Sequence, residues 1–527
     1  MNSRRRRCAF ALLSAAVCLL APMTGFGQDT QSGDSLVPGS HPEVRYDGKS
    51  VVRVWPANEK QMNQALALSE NLWSERLIPT GPIDFMLDAE SLPLLEDIGI
   101  RWQLLIEDVQ PLIDAQKDRS VPQGDDWYSQ YKTFAEVSAY ADQLVADYPT
   151  LAQRIDFGTS LEGRSLFAIR ISNPATGGEG NPSILLNGCQ HAREWIAVMV
   201  PMYIIENFLA GYDTNPDIER LVNRVNLIVV PVTNPDGYVY SWDSQRMWRK
   251  NRRNNGGGSY GVDLNRNWSK FWGGNGSSGN RNSETYRGPS AFSEPETSAL
   301  RDFILSDPSI VSHIDIHSYS QLVLYPWDAI ASDPPDLATL DGLSRIMAAQ
   351  IKSVHNETYR VMMGYDLYPA AGTAMDWTYG VEGILSFTIE LRDKGWYGFL
   401  LPPDKILPTC EENFAAVTGL ADQFSQLTLD VDPLFAGQPT TMRIYQADPN
   451  EMVYVVYSLT GEGSVYVPVL DVVLDVSSPK LVGSDQADAN GYAEVTAFVP
   501  NNTPLILVWF QAAQYQNVSN VVLTQVN

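Results

Sequence analysis

Histidine is scarce in this chain. His41, His191, His313, His317 and His355 are the five among 527 residues, so an imidazole metal site draws on a short list. His191 and Glu194 stand three apart in HAREW (191–195), which lets one local segment aim an imidazole and a carboxylate at a common ion. Zinc takes such nitrogen and oxygen donors, and a catalytic zinc keeps a position open for water. Two ligands are insufficient, and His317 in SHIDIHSYSQ (312–321), at the end of an apolar run, is the natural third. An HxxE pair alone is a weak sign, since many such pairs are exposed helix residues. Gly158-Thr159-Ser160 raises a serine nucleophile, but it lacks the glycine two places after the serine and has no histidine nearby.

The surrounding pattern supplies positions for these residues. Strand candidates at 165–171, 183–186, 225–232, 310–316 and 385–391 alternate with helix candidates such as 194–208. That order predicts an α/β sheet with helices on both faces, whose sites form beyond the strand ends. His191 follows one strand, His317 ends another, and Glu390 lies within the last. Upstream, a strand at 50–54, a helix from Glu59 to about Leu72, a strand at 82–87, a helix at 89–96 and a strand at 101–106 predict a small α+β unit. A charged, helix-prone stretch from Glu107 to Arg119 links it to the larger unit, and 254–282 reads as long loops. After Leu427 the chain carries ten acids, two bases and no His or Cys, with short alternating runs that predict an all-β sandwich without catalysis.

Composition sets the compartment and the partners. Hydrophobic residues at 44% and charged residues at 19% fit a packed globular protein. A formal charge of −25 argues against nucleic acid or an anionic membrane surface as partner. Arg4 to Arg7, the apolar run Cys8–Leu20 and Gly25-Phe26-Gly27 read as an export signal over 1–27, and the run is too short to span a bilayer. A secreted, extracellular or periplasmic chain without a membrane span after signal removal is therefore expected. Residues 28–40 read as a loose polar arm. Cys189 and Cys410 remain after signal removal, as one disulfide or two buried thiols.

Eight motifs give these pieces a common context: NGCQHAREW (187–195), NPDGY (234–238), MWRKNRR (247–253), GVDLNRNW (261–268), YRGPSAFSEPET (286–297), IHSYSQLVLYPW (316–327), AMDWTYG (374–380) and FTIELRD (387–393). In order and spacing the chain resembles the zinc metallocarboxypeptidases of the pancreatic A and B type, over roughly 300 residues. YDGKSVVRVWPANE (46–59) and LLIEDVQPLID (104–114) extend the resemblance into the family's activation segment.

The resemblance implies a mixed central sheet flanked by helices in 120–427, a ferredoxin-like pro-region in 28–119 and an added β-sandwich in 428–527. It also implies a role for each matched residue. His191, Glu194 and His317 match the ligands of one zinc ion, and Glu390 matches the general base. Arg249 matches the arginine that steadies the oxyanion, while Asn265 and Arg266 match the grip on a substrate's terminal carboxylate. Tyr368 matches a tyrosine that closes over substrate, Arg193 and Tyr319 match subsites farther along the peptide, and Asp263 matches an acid that orients His191. Met375 matches the base of the side-chain pocket. With Met363 and Leu367 also apolar, the pocket is expected to be uncharged and to prefer aliphatic or aromatic C-terminal residues. The substrate would be a peptide C-terminus. The pro-region implies a zymogen, with Lys117 and Arg119 as cut sites for a trypsin-like protease. A monomer is expected. His313 reads as a packed histidine, and His41 and His355 fall outside every motif. The competing function is a catalytically inactive extracellular binding protein on the same scaffold, which would be expected to lack Glu390 or a ligand.

Overall fold

The computed structural model describes residues 42–74, 80–120, 127–176, 181–489 and 491–527. The export signal, the polar arm and His41 lie outside them. The first unit runs β1 (Lys49–Trp55), α1 (Glu59–Leu66), β2 (Asn71–Leu72), β3 (Ile83–Asp88), α2 (Leu92–Ile98), β4 (Arg101–Ile106) and α3 (Val109–Lys117). Its strands form an antiparallel sheet in the order β2-β3-β1-β4, the ferredoxin-like arrangement. Period-two alternation decides what each face meets. Val52, Val54, Phe85 and Leu87 pack with Ala65 of α1 and Leu95 of α2. Val51 and Met86, on the opposite face, join Val109 and Ile113 of α3 and, from the large unit, Met247, Phe399 and Leu400.

One helix of this unit departs from expectation. The helix predicted from Glu59 to about Leu72 is capped at its start by the Asn58 side chain but ends at Leu66. Asn71 and Leu72 instead pair with Met86 and Phe85. The N–H groups of Glu70 and Trp73 reach the carbonyls of Met86 and Asp84, both at 2.9 Å, so the edge of β3 finds backbone partners.

The large unit contains α4 (Phe134–Asp147), β5 (Ala152–Thr159), β6 (Ser165–Ile171), β7 (Ser183–Gly188), α5 (Ile196–Gly211), α6 (Pro216–Arg224), β8 (Asn226–Val230), α7 (Pro235–Asp243), β9 (Asn254–Gly256), β10 (Ser259–Tyr260), α8 (Pro295–Ser306), β11 (Ile310–His317), β12 (Leu322–Tyr325), α9 (Leu337–His355), β13 (Arg360–Met363), α10 (Gly364–Leu367), α11 (Ala374–Gly380), β14 (Leu385–Glu390) and α12 (Ile406–Phe424). Eight strands form a mixed sheet in the order β13-β12-β14-β11-β7-β8-β6-β5. On one face Ile184, Leu186 and Phe387 pack with residues of α5, α9 and α12; on the other Leu185 and Ile228 pack with Leu300 of α8 and Trp377 of α11. Continuous apolar runs such as β8, buried along its whole length, follow from covering both faces. In the parallel core, His317 of β11 lies opposite Glu390 of β14, and Ile316 lies opposite Gly188 of β7. Three segments that carry candidate site residues therefore leave the sheet side by side.

The C-terminal strands are β15 (Thr428–Val431), β16 (Pro439–Tyr445), β17 (Met452–Ser458), β18 (Glu462–Val467), β19 (Val472–Val476), β20 (Lys480–Gln486), β21 (Ala493–Phe498), β22 (Leu507–Gln514), β23 (Asn517–Val518) and β24 (Val522–Gln525). Leu429, Met442, Ile444 and Val495 of the β15-β16-β21 sheet share a core with Val453, Val455, Phe510 and Ala512 of the sheet built on β17 and β22. Two sheets over one core make the expected sandwich.

Candidate active site

Beyond Gly188 the chain turns and places His191 and Glu194 just before α5, facing His317 at the end of β11. All three side chains are buried, and one donor atom from each lies within 4.8 Å of the others. His191 Nδ1 is 2.8 Å from Glu194 Oε1, and His317 Nδ1 is 3.1 Å both from His191 Nδ1 and from Glu194 Oε2. The far side of each ring explains this convergence. His191 Nε2 donates to Asp263 Oδ1 at 3.1 Å, and His317 Nε2 to Asp315 Oδ2 at 2.8 Å. A carboxylate can only accept, so each ring carries its hydrogen on Nε2 and turns the Nδ1 lone pair toward the other. Two lone pairs and a carboxylate aimed at one point fit a divalent cation of zinc's ligand preference.

The acids behind the rings are themselves held. Asp263 accepts from Arg249 Nη2 at 2.9 Å and from the Asn265 N–H at 3.0 Å. Asp315 accepts from Asn187 Nδ2 at 2.7 Å and Gln190 Nε2 at 2.6 Å. Burial pushes the Asp263 carboxyl up, but the charges of Arg249, Arg266 and His191 outweigh it and hold it well below the ordinary carboxylate range. Burial acts likewise on Glu194, and His191 and His317 outweigh it there, so this carboxyl too is held low. For His317 burial favours the neutral ring, yet Asp315 and Glu194 outweigh it and hold a proton more tightly than usual.

A cleft of about 410 Å³ opens beside these residues. Glu390, half-buried at the end of β14, lines it together with Asn265, Arg266, Tyr319 and Tyr368. Arg266 is fixed by its Nε on the Gly276 carbonyl (2.9 Å) and its Nη1 on the Asn265 carbonyl (2.8 Å). Arg249 sits behind this lining, with Nη1 4.0 Å from Glu194 Oε1. Met375 is fully buried beneath the floor with Leu322 and Leu324, against Met362 and Leu367. Met363, expected beside it, closes β13 and precedes α10.

The first unit forms one wall. Arg53, Trp73 and Asp84 line the cleft. Both Asp84 oxygens accept from Arg53 at 2.7 Å, and Oδ2 also accepts from the Tyr319 hydroxyl at 3.0 Å. Arg193 Nη1 meets Asn71 Oδ1 and the Leu72 carbonyl, each at 3.3 Å, and its guanidinium lies 4.1 Å over the Phe399 ring. The expected subsite residues Arg193 and Tyr319 are thus already engaged by Asn71, Leu72 and Asp84.

Residues 137–416 match the family profile described as zinc carboxypeptidase. Carboxypeptidase A2 of Mus musculus is 36% identical over 385 residues, which cover 70% of this chain and 91% of that protein. The chain belongs to the zinc carboxypeptidase family. Carboxypeptidase B of Bos taurus is 33% identical over 73% of this chain and 95% of its own length. Among solved structures, thrombin activatable fibrinolysis inhibitor aligns at 30% identity with a TM-score of 0.68, covering 72% of this chain and 99% of its own. Carboxypeptidase A from Helicoverpa armigera aligns at 28% identity with a TM-score of 0.63, covering 72% and 98%. The chain is a zinc metallopeptidase of the A/B type, whose substrates are peptide C-termini.

Sequence reasoning missed three parts of this site. Asp315 carries a visible signal, since residues two apart on a strand share a face and it precedes His317 by two. The engagement of Arg193 and Tyr319 by Asn71, Leu72 and Asp84 has none, because it joins segments over a hundred residues apart. The third is an acid near the expected apolar residues: Asp328, just past β12, lines the cleft. It lies 47 residues before Met375 in sequence and comes near it only through folding. His313, as expected, is packed, with Nδ1 3.0 Å from Thr378 Oγ1, and burial lowers its pKa to about 4. Ser160 donates to buried Asp236 at 2.6 Å, so it has a structural partner. Cys189 and Cys410 are buried free thiols.

Proposed function

We propose that His191, Glu194 and His317 hold the zinc, that Glu390 and Arg249 carry the hydrolysis, and that the chain is exported as a zymogen. The observation that carries this reading is the convergence of the three donor atoms within 4.8 Å, beside a glutamate in register with His317. When bound, zinc supplies Lewis acidity, polarising a carbonyl and acidifying water. Glu390 takes the proton of the attacking water and later delivers it to the leaving amine. Arg249, oriented by Asp263, steadies the negative charge that develops on the carbonyl oxygen. Asn265 and Arg266 grip the substrate's terminal carboxylate, for which a guanidinium offers two parallel donors. That grip restricts cleavage to the chain end. Tyr368 covers the bound residue, and Arg193 and Tyr319 hold the peptide farther along.

An aliphatic or aromatic C-terminal side chain suits the walls that Leu324 and Leu367 form over Met375. Residues 28–119 act as the inhibitory segment, which is supported by the contacts of Asn71, Leu72 and Asp84 with Arg193 and Tyr319. Arg119 lies two residues past the last residue of α3, whereas Lys117 is within that helix and donates to the Trp242 carbonyl at 2.7 Å. Cleavage by a trypsin-like protease after Arg119 is therefore favoured. Among the described residues no helix is long and apolar enough to cross a membrane.

Zinc content and peptide cleavage, measured before and after trypsin treatment, test the proposal. Peptides with a free C-terminus should be trimmed, amidated ones spared, and the processed form should be the more active. His317→Ala should abolish zinc binding. Full zinc occupancy in that variant, or equal activity of the intact and processed chains, would sink the corresponding half.

A further inference from the structure

Two hydrogen-bonded rows of side chains run outward from Asp315, behind His317. In the first, Gln190 Nε2 donates to Asp315 Oδ2 at 2.6 Å, and Gln190 Oε1 accepts the Trp268 indole N–H at 3.2 Å. In the second, Asn187 Nδ2 donates to Asp315 Oδ1 at 2.7 Å, and Asn187 Oδ1 lies 2.5 Å from His313 Nε2. All five of these side chains are buried.

A side-chain amide can face either way, so its neighbours must decide. An indole nitrogen only donates. Trp268 therefore holds the oxygen of Gln190 on its own side and leaves the NH2 group for Asp315. His313 does the same for Asn187. Burial lowers its pKa to about 4, so the ring is neutral and carries one hydrogen. Thr378 Oγ1, 3.0 Å from His313 Nδ1, can donate to it while accepting from Ser386 Oγ at 2.7 Å. That leaves the hydrogen on Nε2, facing the Asn187 oxygen. The Asp315 Oδ2 that takes the Gln190 amide also accepts from His317 Nε2 at 2.8 Å. With the Gln190 amide reversed, two oxygens would face each other there and drive the carboxylate off the imidazole.

We infer that Trp268 and His313 are positioning residues for His317. Their N–H groups set the facing of the Gln190 and Asn187 amides, both amides then donate to Asp315, and Asp315 holds the His317 ring with Nδ1 turned inward. The inference rests on the reading of His317 as a zinc ligand. Each residue acts through an amide and a carboxylate, so its effect on the metal should be smaller than that of a direct partner of the ligand.

Zinc affinity of the full chain, measured by competition with a chromophoric chelator, reads this out, with circular dichroism as the check that each variant folds. His313→Leu should weaken zinc binding by about 3- to 10-fold, and His313→Gln, whose amide keeps a donor toward Asn187, should stay within about twofold of the unaltered chain. Trp268→Phe should weaken binding to a similar extent but add nothing in a Gln190→Leu background, where no amide remains to orient. A packing role would give the same loss with and without the Gln190 amide. His313→Gln as weak as His313→Leu, a Trp268→Phe loss that persists beside Gln190→Leu, or unaltered affinity in both single variants overturns the inference. Where Trp268→Phe or His313→Leu does not fold, Gln190→Glu and Asn187→Asp, which exchange the oriented NH2 for an oxygen, take their place. Weaker zinc binding in these supports the inference, and unaltered affinity overturns it. Full zinc occupancy in His317→Ala sinks the ligand reading itself. A chain that loses zinc in His317→Ala yet gives any overturning result above sinks the inference alone.

Discussion

Two walls of one cleft treat buried negative charge in opposite ways. On the zinc side, Glu194, Asp263 and Asp315 are all nearly inaccessible, and each has an imidazole, a guanidinium or amide donors within hydrogen-bond reach. On the pocket side, Asp328 is almost as buried but relies on a hydroxyl and on more distant charges. Acids whose counter-charge comes from the fold orient the machinery.

The largest expected effect lies on the zinc side. Glu390→Gln should lower kcat by about 10²–10⁴-fold with zinc stoichiometry unchanged, as removal of a general base does; a variant within a few-fold of the parent would take Glu390 out of the reaction. Asp315→Asn and Asp263→Asn should each weaken zinc affinity by about 10–100-fold in a competition titration. If neither moves it, the compensated acids are packing groups. Asp84→Asn, which frees Arg53 and Tyr319, should raise the activity of the unprocessed chain by roughly tenfold, equivalent to about 1.4 kcal/mol of lost contact. Unchanged activity there would show that the first unit blocks the cleft by other contacts.

The zinc side should also respond to pH. Because His317 holds its proton more tightly than a free imidazole, acid competes with the metal, and zinc affinity should fall steadily as pH is lowered.

Much of this site was legible from one-dimensional signals. HAREW puts two donors on one short segment, and an apolar run ending in His317 puts a third at a strand end. The sequence did not announce β5, β12 or β13, and at β2 pairing overrode local preference. Asn71 and Leu72 follow a helix-prone stretch, yet the free edge of β3 recruits them, because unpaired backbone groups cost more than a short helical extension gains. Asp315 was readable but overlooked. Asp328 was not readable, since nothing in its neighbours signals that it turns toward Gly364 and Met375.

Residue type and local spacing are properties of the chain itself, so the His191–Glu194 pair, the histidine that ends an apolar run and the eight motifs were determined before folding. Juxtaposition of distant segments is not, because it depends on sheet register and on which faces bury together. Only the tertiary structure decided that Asn71, Leu72 and Asp84 meet Arg193 and Tyr319 and that Asp328 lines the cleft near Met375. The same folding removed water from that acid, and desolvation pushes its carboxyl up to about 6.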